Sequence, residues 1–483
     1  MKNILKYLLM ATAVVGLTVS CNKDNLYPAP ETSISDATAF DQPYRITNQI
    51  LSLYSAFKNG QLYGGRVLVY GDSRAEEFIS EDPNLVTGAD VWQLNPTNSA
   101  TAVVNLWAQA YFVINSVNVF LDGMETKGLS VIGDAVGKNY MAEARLMRAM
   151  CYFNLLQYYA RPYADGNGSK LGVPLRLTPI KGPGFSDLAR STVAEVYDQI
   201  IIDLDYAEAN LPLTNTPVLN NVIRAHRNSA IALKTRVYLT MQKYADVITQ
   251  ANKIVGNTAP FVATSGVANA LTPDYANIFK TPYNTVESIF SLPFSTGTGD
   301  APGTQNGLQS YYYNSATGTG SIYSINQSAI FANTGWTATD RRRSLIYSAA
   351  SGKKYLTKFP TAAPADYVPV IRWAEVLLNT AEALARTNAG VNVRALALLN
   401  AVRQRSDATT TLAPVTQQDL IDAIMTERRI EFLGEGHRNN DLMRLLQTIP
   451  AKGTVGAKAP NQDGYIWPAS STEKSLNKLW VDN

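Results

Sequence analysis

Between Val136 and Ala160 the apolar residues of VGKNYMAEARLMRAMCYFNLLQYYA fall on two lines. One runs through Tyr140, Ala144, Met147, Cys151, Leu155 and Tyr158, the other through Ala142, Leu146, Ala149, Phe153 and Leu156, both in steps of three and four. Two adjacent stripes at that spacing predict a helix with a wide buried face. Cys151 lies inside the face, which predicts a reduced, buried thiol serving as a small hydrophobe. The same period predicts helices over 46–58, 103–121, 192–210, 224–241, 244–255, 367–386, 391–406, 417–432 and 441–446. Several come in pairs with short links, as in stacked tetratricopeptide-like hairpins, although no strict repeat of about 34 residues is legible. The predicted fold class is therefore mostly α.

Two stretches break the helical period. Residues 256–365 are rich in Gly, Ser, Thr, Asn and Tyr, and only ESIFSLPF and KKYLTKFP look like strands. Residues 60–100 contain VYGDSRAEEFISEDPN and ADVWQLNPTNSA. Long irregular chain on a helical scaffold is where function is usually displayed.

At the start, Lys2 and Lys6 precede an apolar run from Leu8 to Val19. The run is too short to span a bilayer, which takes about 20 apolar residues, and suits the core of an export signal. Ser20-Cys21 follows in place of an ordinary small-x-small site, resembling a bacterial lipoprotein signal; Thr18 stands at the usual leucine position, with Leu17 one residue earlier. Residues 1–20 are thus read as a signal peptide, 21–41 as a lipidated N-terminus and polar, proline-bearing tether, and 42–483 as one domain. Lipidation of Cys21 would anchor the protein in a membrane, since each buried methylene of an acyl chain contributes about 0.8 kcal/mol.

Composition narrows the function. Hydrophobic residues are 46% and charged ones 17%, which suits a chain with a large core, and 26 tyrosines suggest surfaces that stack on or hydrogen-bond to ligands. Removing Lys2 and Lys6 with the leader leaves a charge near +1, with no electrostatic footprint for nucleic acid. Two cysteines rule out a disulfide framework, and two histidines, His226 and His437, leave almost no material for a histidine-rich metal site or a Ser-His-Asp arrangement. There is no GxSxG, HExxH, CxxC or GxxxxGK[ST]. The densest acidic cluster, Glu76, Glu77, Glu81 and Asp82, is the one place where a glycosidase pair is conceivable, beside a solvated loop or a cation site.

TERRIEFLGEGHRNNDLMRLL is the most charged stretch. Glu427 and Glu431 continue the helical line of Leu420 and Ile424, which faces the core, so both need cationic partners. Arg372, Arg428, Arg438 and Arg444, with Asp441, are the expected members of a structural ion network, His437 joins it, and Gly434 and Gly436 turn the chain back after the helix.

The sequence at this point resembles the SusD/RagB family of surface lipoproteins. The resemblance rests on NLWAQAYFVINSVNVFL, AEARLMRAMCYFNLLQYYARPY, PVIRWAEVLLNTAEALAR, ERRIEFLGEGHRNNDLMR and YIWPASSTEKSLN, in that order. It implies four tetratricopeptide-like hairpins in a right-handed superhelix with a loop-rich ligand side, and no enzymatic activity or cofactor; a structural calcium ion is left open. It also implies an outer-membrane lipoprotein, exposed at the cell surface, that captures a glycan and lids a SusC-like TonB-dependent transporter barrel. Loop aromatics stack on sugar faces in this family, with Asn, Arg and Asp at the rim. The corresponding candidates are Trp92 with Asn95 and Asn98, Trp336, and Tyr311, Tyr312 and Tyr313 with Asn314, while Asp72 and Arg74 supply rim hydrogen bonds. A surface glycoside hydrolase and a lid without its own specificity are the competing readings.

Overall fold

The computed structural model describes residues 38–482 apart from 183, 185, 298, 315–320 and 361–364, so the leader, Cys21 and most of the tether lie outside the described residues. The α-helices of seven or more described residues are α1 (Pro43–Phe57), α2 (Arg66–Ser73), α3 (Thr101–Gly123), α4 (Asp134–Tyr159), α5 (Val193–Asn210), α6 (Arg227–Thr240), α7 (Tyr244–Ala251), α8 (Trp373–Thr387), α9 (Val393–Ser406), α10 (Gln417–Glu431) and α11 (Arg438–Arg444). Each long helix packs on the next in chain order, α3 on α4, α4 on α5, and so on to α8 and α9, with α10 also against α8. This is the stacking of tetratricopeptide-like hairpins, and the apolar stripes of α4 are both inside it, Cys151 included. Local chemistry sets several starts. Thr192 accepts a hydrogen bond from the Glu195 amide while Glu195 reaches back to the Thr192 amide, and Thr416 with Asp419 repeats this capping box on α10.

The strands are short and pair antiparallel in twos: β1 (Phe78–Ser80) with β5 (Tyr323–Ile325), β2 (Leu171–Pro174) with β3 (Arg190–Thr192), β4 (Ser288–Leu292) with β8 (Val368–Arg372), and β6 (Ile346–Ser348) with β7 (Lys354–Leu356). In register, Phe78 faces Ile325 and Ile346 faces Leu356. Two of the pairs, β4 with β8 and β5 with β1, tie the irregular central stretch to segments outside it. No helix among the described residues is long and apolar enough to cross a membrane.

Three elements differ from the periodic reading, each for a physical reason. The helix expected over 367–386 begins only at Trp373, because Val368, Val370 and Ile371 are β-branched and Ser288–Leu292 offers them a ladder on which all five residues are buried. The helix expected over 441–446 spans Arg438–Arg444, starting three residues early, just after the turn at Gly436. Inside the 60–100 patch, α2 escaped notice because its eight residues make only about two turns and buried Arg66, Asp72 and Ser73 interrupt any apolar stripe.

Trp467 ties these parts together. It is fully buried, with its ring 5.1 Å from Tyr70 of α2 and 4.7 and 5.5 Å from Tyr158 and Tyr159 of α4. On the other side of α2 the backbone runs so close to the turn after α10 that a Cβ on Gly71 would stand 2.1 Å from the Gly436 carbonyl oxygen, and Gly436 itself has φ +78°. Gly71→Ala should therefore cost about 1–3 kcal/mol through overpacking against unyielding backbone. Gly456→Ala, where a Cβ meets open space, should change the midpoint of thermal unfolding little by comparison.

Candidate functional site

The core-facing carboxylates of α10 are met by cations from three other elements. Arg342 reaches Glu427 at 2.6 Å, Glu431 at 2.8 Å and Asp340 at 2.7 Å. Arg372, at the end of β8, contacts Glu287 at 2.5 Å, Glu431 at 2.9 Å and, through two nitrogens, Glu435 at 2.7 and 2.9 Å. From α9, Arg405 adds contacts to Glu287 and Glu431 and Arg403 one to Glu427, while Lys358 closes on Glu435. Five carboxylates thus face five cations. Burial alone would raise the pKa of Glu431, but Arg405, Arg372 and Arg342 together hold it well below the usual carboxylate range. A second group joins Arg428 and Arg444 to Asp441, with Arg444 also bidentate on Glu382. A third sets Arg438 and Arg429 against Glu76 and Glu77. His437 stacks on Phe432 at 4.5 Å, and burial lowers its pKa to about 4.

Partners missing from the sequence reading are Arg342, Lys358, Arg403, Arg405, Glu287, Asp340, Glu382 and Glu435. Only the RRR run at 341–343 and the VRQR segment at 402–405 hinted at surplus cations. The acidic cluster is likewise engaged: Glu76 and Glu77 are gripped as above, Glu81 pairs with Lys353, and Asp82 accepts from the Asn84 amide.

The loop aromatics chosen as sugar platforms are corrected by their burial. Trp92 is only 7% exposed; its indole N–H donates to the Phe78 carbonyl at 2.9 Å and the Lys452 ammonium lies over its ring. Trp336 is 3% exposed, under the Arg343 guanidinium and edge-on to Phe331. Tyr311 lies beneath Arg66, and Tyr312 donates its hydroxyl to Asp72 at 2.8 Å. Asp72, Asn314 and Arg74 are buried too, and Arg74 binds the Tyr465 carbonyl at 2.6 Å and Asn439 at 3.2 Å. These rings and ion sites fill the core beneath the loops, so none offers a face to a glycan. Of the candidates, Tyr313 and Asn98 are half-buried and Asn95 is exposed. The structure brings Asp72, Tyr311, Tyr312 and Arg66 together around α2, whereas Trp336 packs against Phe331 and Arg343.

Asn95 does open onto a concave surface. A cleft of about 560 Å³ runs between the turn at Asn95 and Pro96, Arg161 after α4, Arg190 of β3 and the C-terminal segment from Asn461 to Asp482. Ile466, Pro468 and Trp480 line it with apolar surface beside the buried Trp467; Asn461, Gln462, Asp463 and Lys474 bring polar ends.

Comparison with known proteins now bears on this architecture. A family model described as "SusD family" matches residues 303–478, and one described as "Starch-binding associating with outer membrane" matches residues 30–239. The crystal structure of a SusD superfamily protein from Bacteroides fragilis is 32% identical, covers 91% of this chain and 99% of its own, and superposes with a TM-score of 0.80. The chain belongs to the SusD family. SusD-like protein P25 of Formosa agariphila is 24% identical over 475 residues, 86% of this chain and 85% of that one. A solved laminarin binding SusD-like protein shares the fold at a TM-score of 0.70 and 21% identity, over 92% of this chain and 99% of that one.

Within this SusD-family fold, Asp72 shows how the buried loops respond to pH. Burial pushes its carboxyl up to about 8, against the pull of the Tyr312 hydroxyl and the Gly436 amide, which both donate to the same oxygen, Oδ2. The folded protein therefore keeps a proton that an unfolded aspartate, with a pKa of about 3.9, has released, and stability falls as pH rises from about 4 to about 8. Asp72→Asn can keep both bonds on its carbonyl oxygen. Thermal unfolding followed from about pH 5 to about pH 8 should show a shallower decline for the variant than for the wild type. For Trp92→Ala, chemical denaturation should register a stability loss of about 3–5 kcal/mol, the cost of truncating a buried ring, in place of a change confined to ligand affinity.

Proposed function

We propose that this SusD-family protein is a carbohydrate-binding lipoprotein of the outer membrane that captures a glycan at the cell surface and delivers it to a TonB-dependent transporter, over which it acts as a lid. The observation that carries the reading is family membership along nearly the whole chain, with residues 30–239 matching the family described as starch-binding and associating with the outer membrane. The N-terminus supports it: a basic, then apolar leader ends at Ser20-Cys21, and a diacylated Cys21 would hold the body at the membrane through the tether that precedes Pro43. A leash of this length lets the body swing over a transporter mouth while its local concentration there stays high. Binding without hydrolysis is consistent with the acidic cluster, whose Glu76 and Glu77 are held by Arg438 and Arg429.

Affinity electrophoresis in gels containing starch or laminarin should retard the protein with no release of reducing ends. Hydrolysis that survives purification and disappears in Glu76→Gln would favour the glycosidase reading instead. The anchor has a separate readout. Cys21→Ala should move the protein from the membrane to the soluble fraction while leaving its retardation in the gel unchanged, and a variant that still sediments with membranes in cells lacking the transporter would refute lipid attachment at Cys21.

A further inference from the structure

With the loop aromatics buried, the cleft beside the C-terminal segment is the concave surface whose chemistry suits a sugar. We propose that it is a saccharide-binding subsite for about two to three rings of a neutral oligosaccharide, an inference that rests on the carbohydrate-binding reading above. Its volume of about 560 Å³ falls within the range of small-ligand sites, about 300–1,000 Å³.

Its lining has the two-sided character that a sugar ring presents in reverse. Ile466 and Pro468, both half-buried, form an apolar bed for C–H faces, and the half-exposed Trp480 adds an indole whose own N–H is taken by Asp482 at 2.9 Å. Above this bed stand exposed amides. Asn95 and Asn461 point polar ends from opposite loops, and Gln462 spends its carbonyl oxygen on the Ala459 amide at 2.7 Å, leaving its NH2 as a donor. Beneath this bed Trp467 is fully buried against Tyr70, Tyr158 and Tyr159, which holds the wall of the cleft in place.

Charge selects the neutral class. Lys474 is tied to Asp482 at 2.6 Å and Arg161 to Asp165 at 2.6 Å. Arg190 is occupied by the carbonyls of Gly172 at 2.7 Å, Val481 at 3.0 Å and Leu171 at 3.0 Å while it covers the Trp480 ring at 4.6 Å. Asp463 projects a further exposed carboxylate. A uronic acid would enter without surplus positive charge to receive it and against that carboxylate.

Calorimetry on the full mature chain with maltoheptaose, laminarihexaose and trigalacturonate tests this. The variants Asn95→Ala and Gln462→Ala remove exposed amides, and Asn461→Trp places bulk in the cleft from an exposed loop; thermal unfolding checks that each is folded. At least one neutral oligosaccharide should bind the wild type, weaken by about tenfold or more in Asn461→Trp and by a smaller factor in the amide variants, at unchanged unfolding midpoints. Wild-type binding that persists undiminished in all three variants overturns the subsite and leaves the carbohydrate-binding reading standing. Trigalacturonate binding more tightly than either neutral probe, and lost in Asn461→Trp, overturns the neutral class. No binding of any probe by the wild type, and no retardation in starch or laminarin gels, overturns both.

Discussion

The ion cluster around Glu431 and Arg372 is the constraint on which the rest of the molecule depends. Placing Glu427 and Glu431 on the inner face of α10 creates two buried charges, and a buried charge without a partner is strongly unfavourable. Neutrality is restored only when α9, β8, the turn at Asp340–Arg342 and the loop bearing Glu287 converge on α10. Arginine dominates because its planar fork serves several carboxylates at once: Arg372 and Arg342 each meet three, with Glu431 shared between them. Removing any one member strands its partners, so the cluster fixes a single arrangement of elements that are distant along the chain.

That convergence explains the loop side. The turn after α10, held by Glu435 and by glycines at positive φ, lies directly against α2, and the 60–100 stretch is tied to it by Glu76 and Glu77 pairing with Arg438 and Arg429. With the loops drawn inward, Trp92, Tyr311, Tyr312 and Trp336 become packing, each with a polar tip or a cation over its ring. Concave surface is left elsewhere, where the C-terminal segment passes Arg161 and β3.

How much of this was legible follows from the length of each element and the run of apolar residues within it. An apolar period sustained over many turns announced α4, although it is buried on every side from Leu146 to Tyr159, and α10 even disclosed which carboxylates point inward. The signal vanished in the eight-residue α2, where Arg66, Asp72 and Ser73 are buried beside the apolar residues, and misled where β-branched residues found a strand partner far away, as Val368–Arg372 found Ser288–Leu292. A tryptophan or tyrosine in an irregular stretch is ambiguous by nature, because the same flat, amphipathic ring serves a core and a sugar face equally well.

By itself the sequence determined the helical class, the order of its helices and the demand for cations around α10. Those properties are set by residue type and by spacing within about four positions, which a linear pattern carries in full. The tertiary structure decided which cations answer the demand, that the loop aromatics are buried, and that Asn95, Trp467 and Trp480 line one cleft. Those depend on contacts between residues hundreds of positions apart, such as Arg74 with Asn439 or Arg438 with Glu76, and no local pattern encodes them.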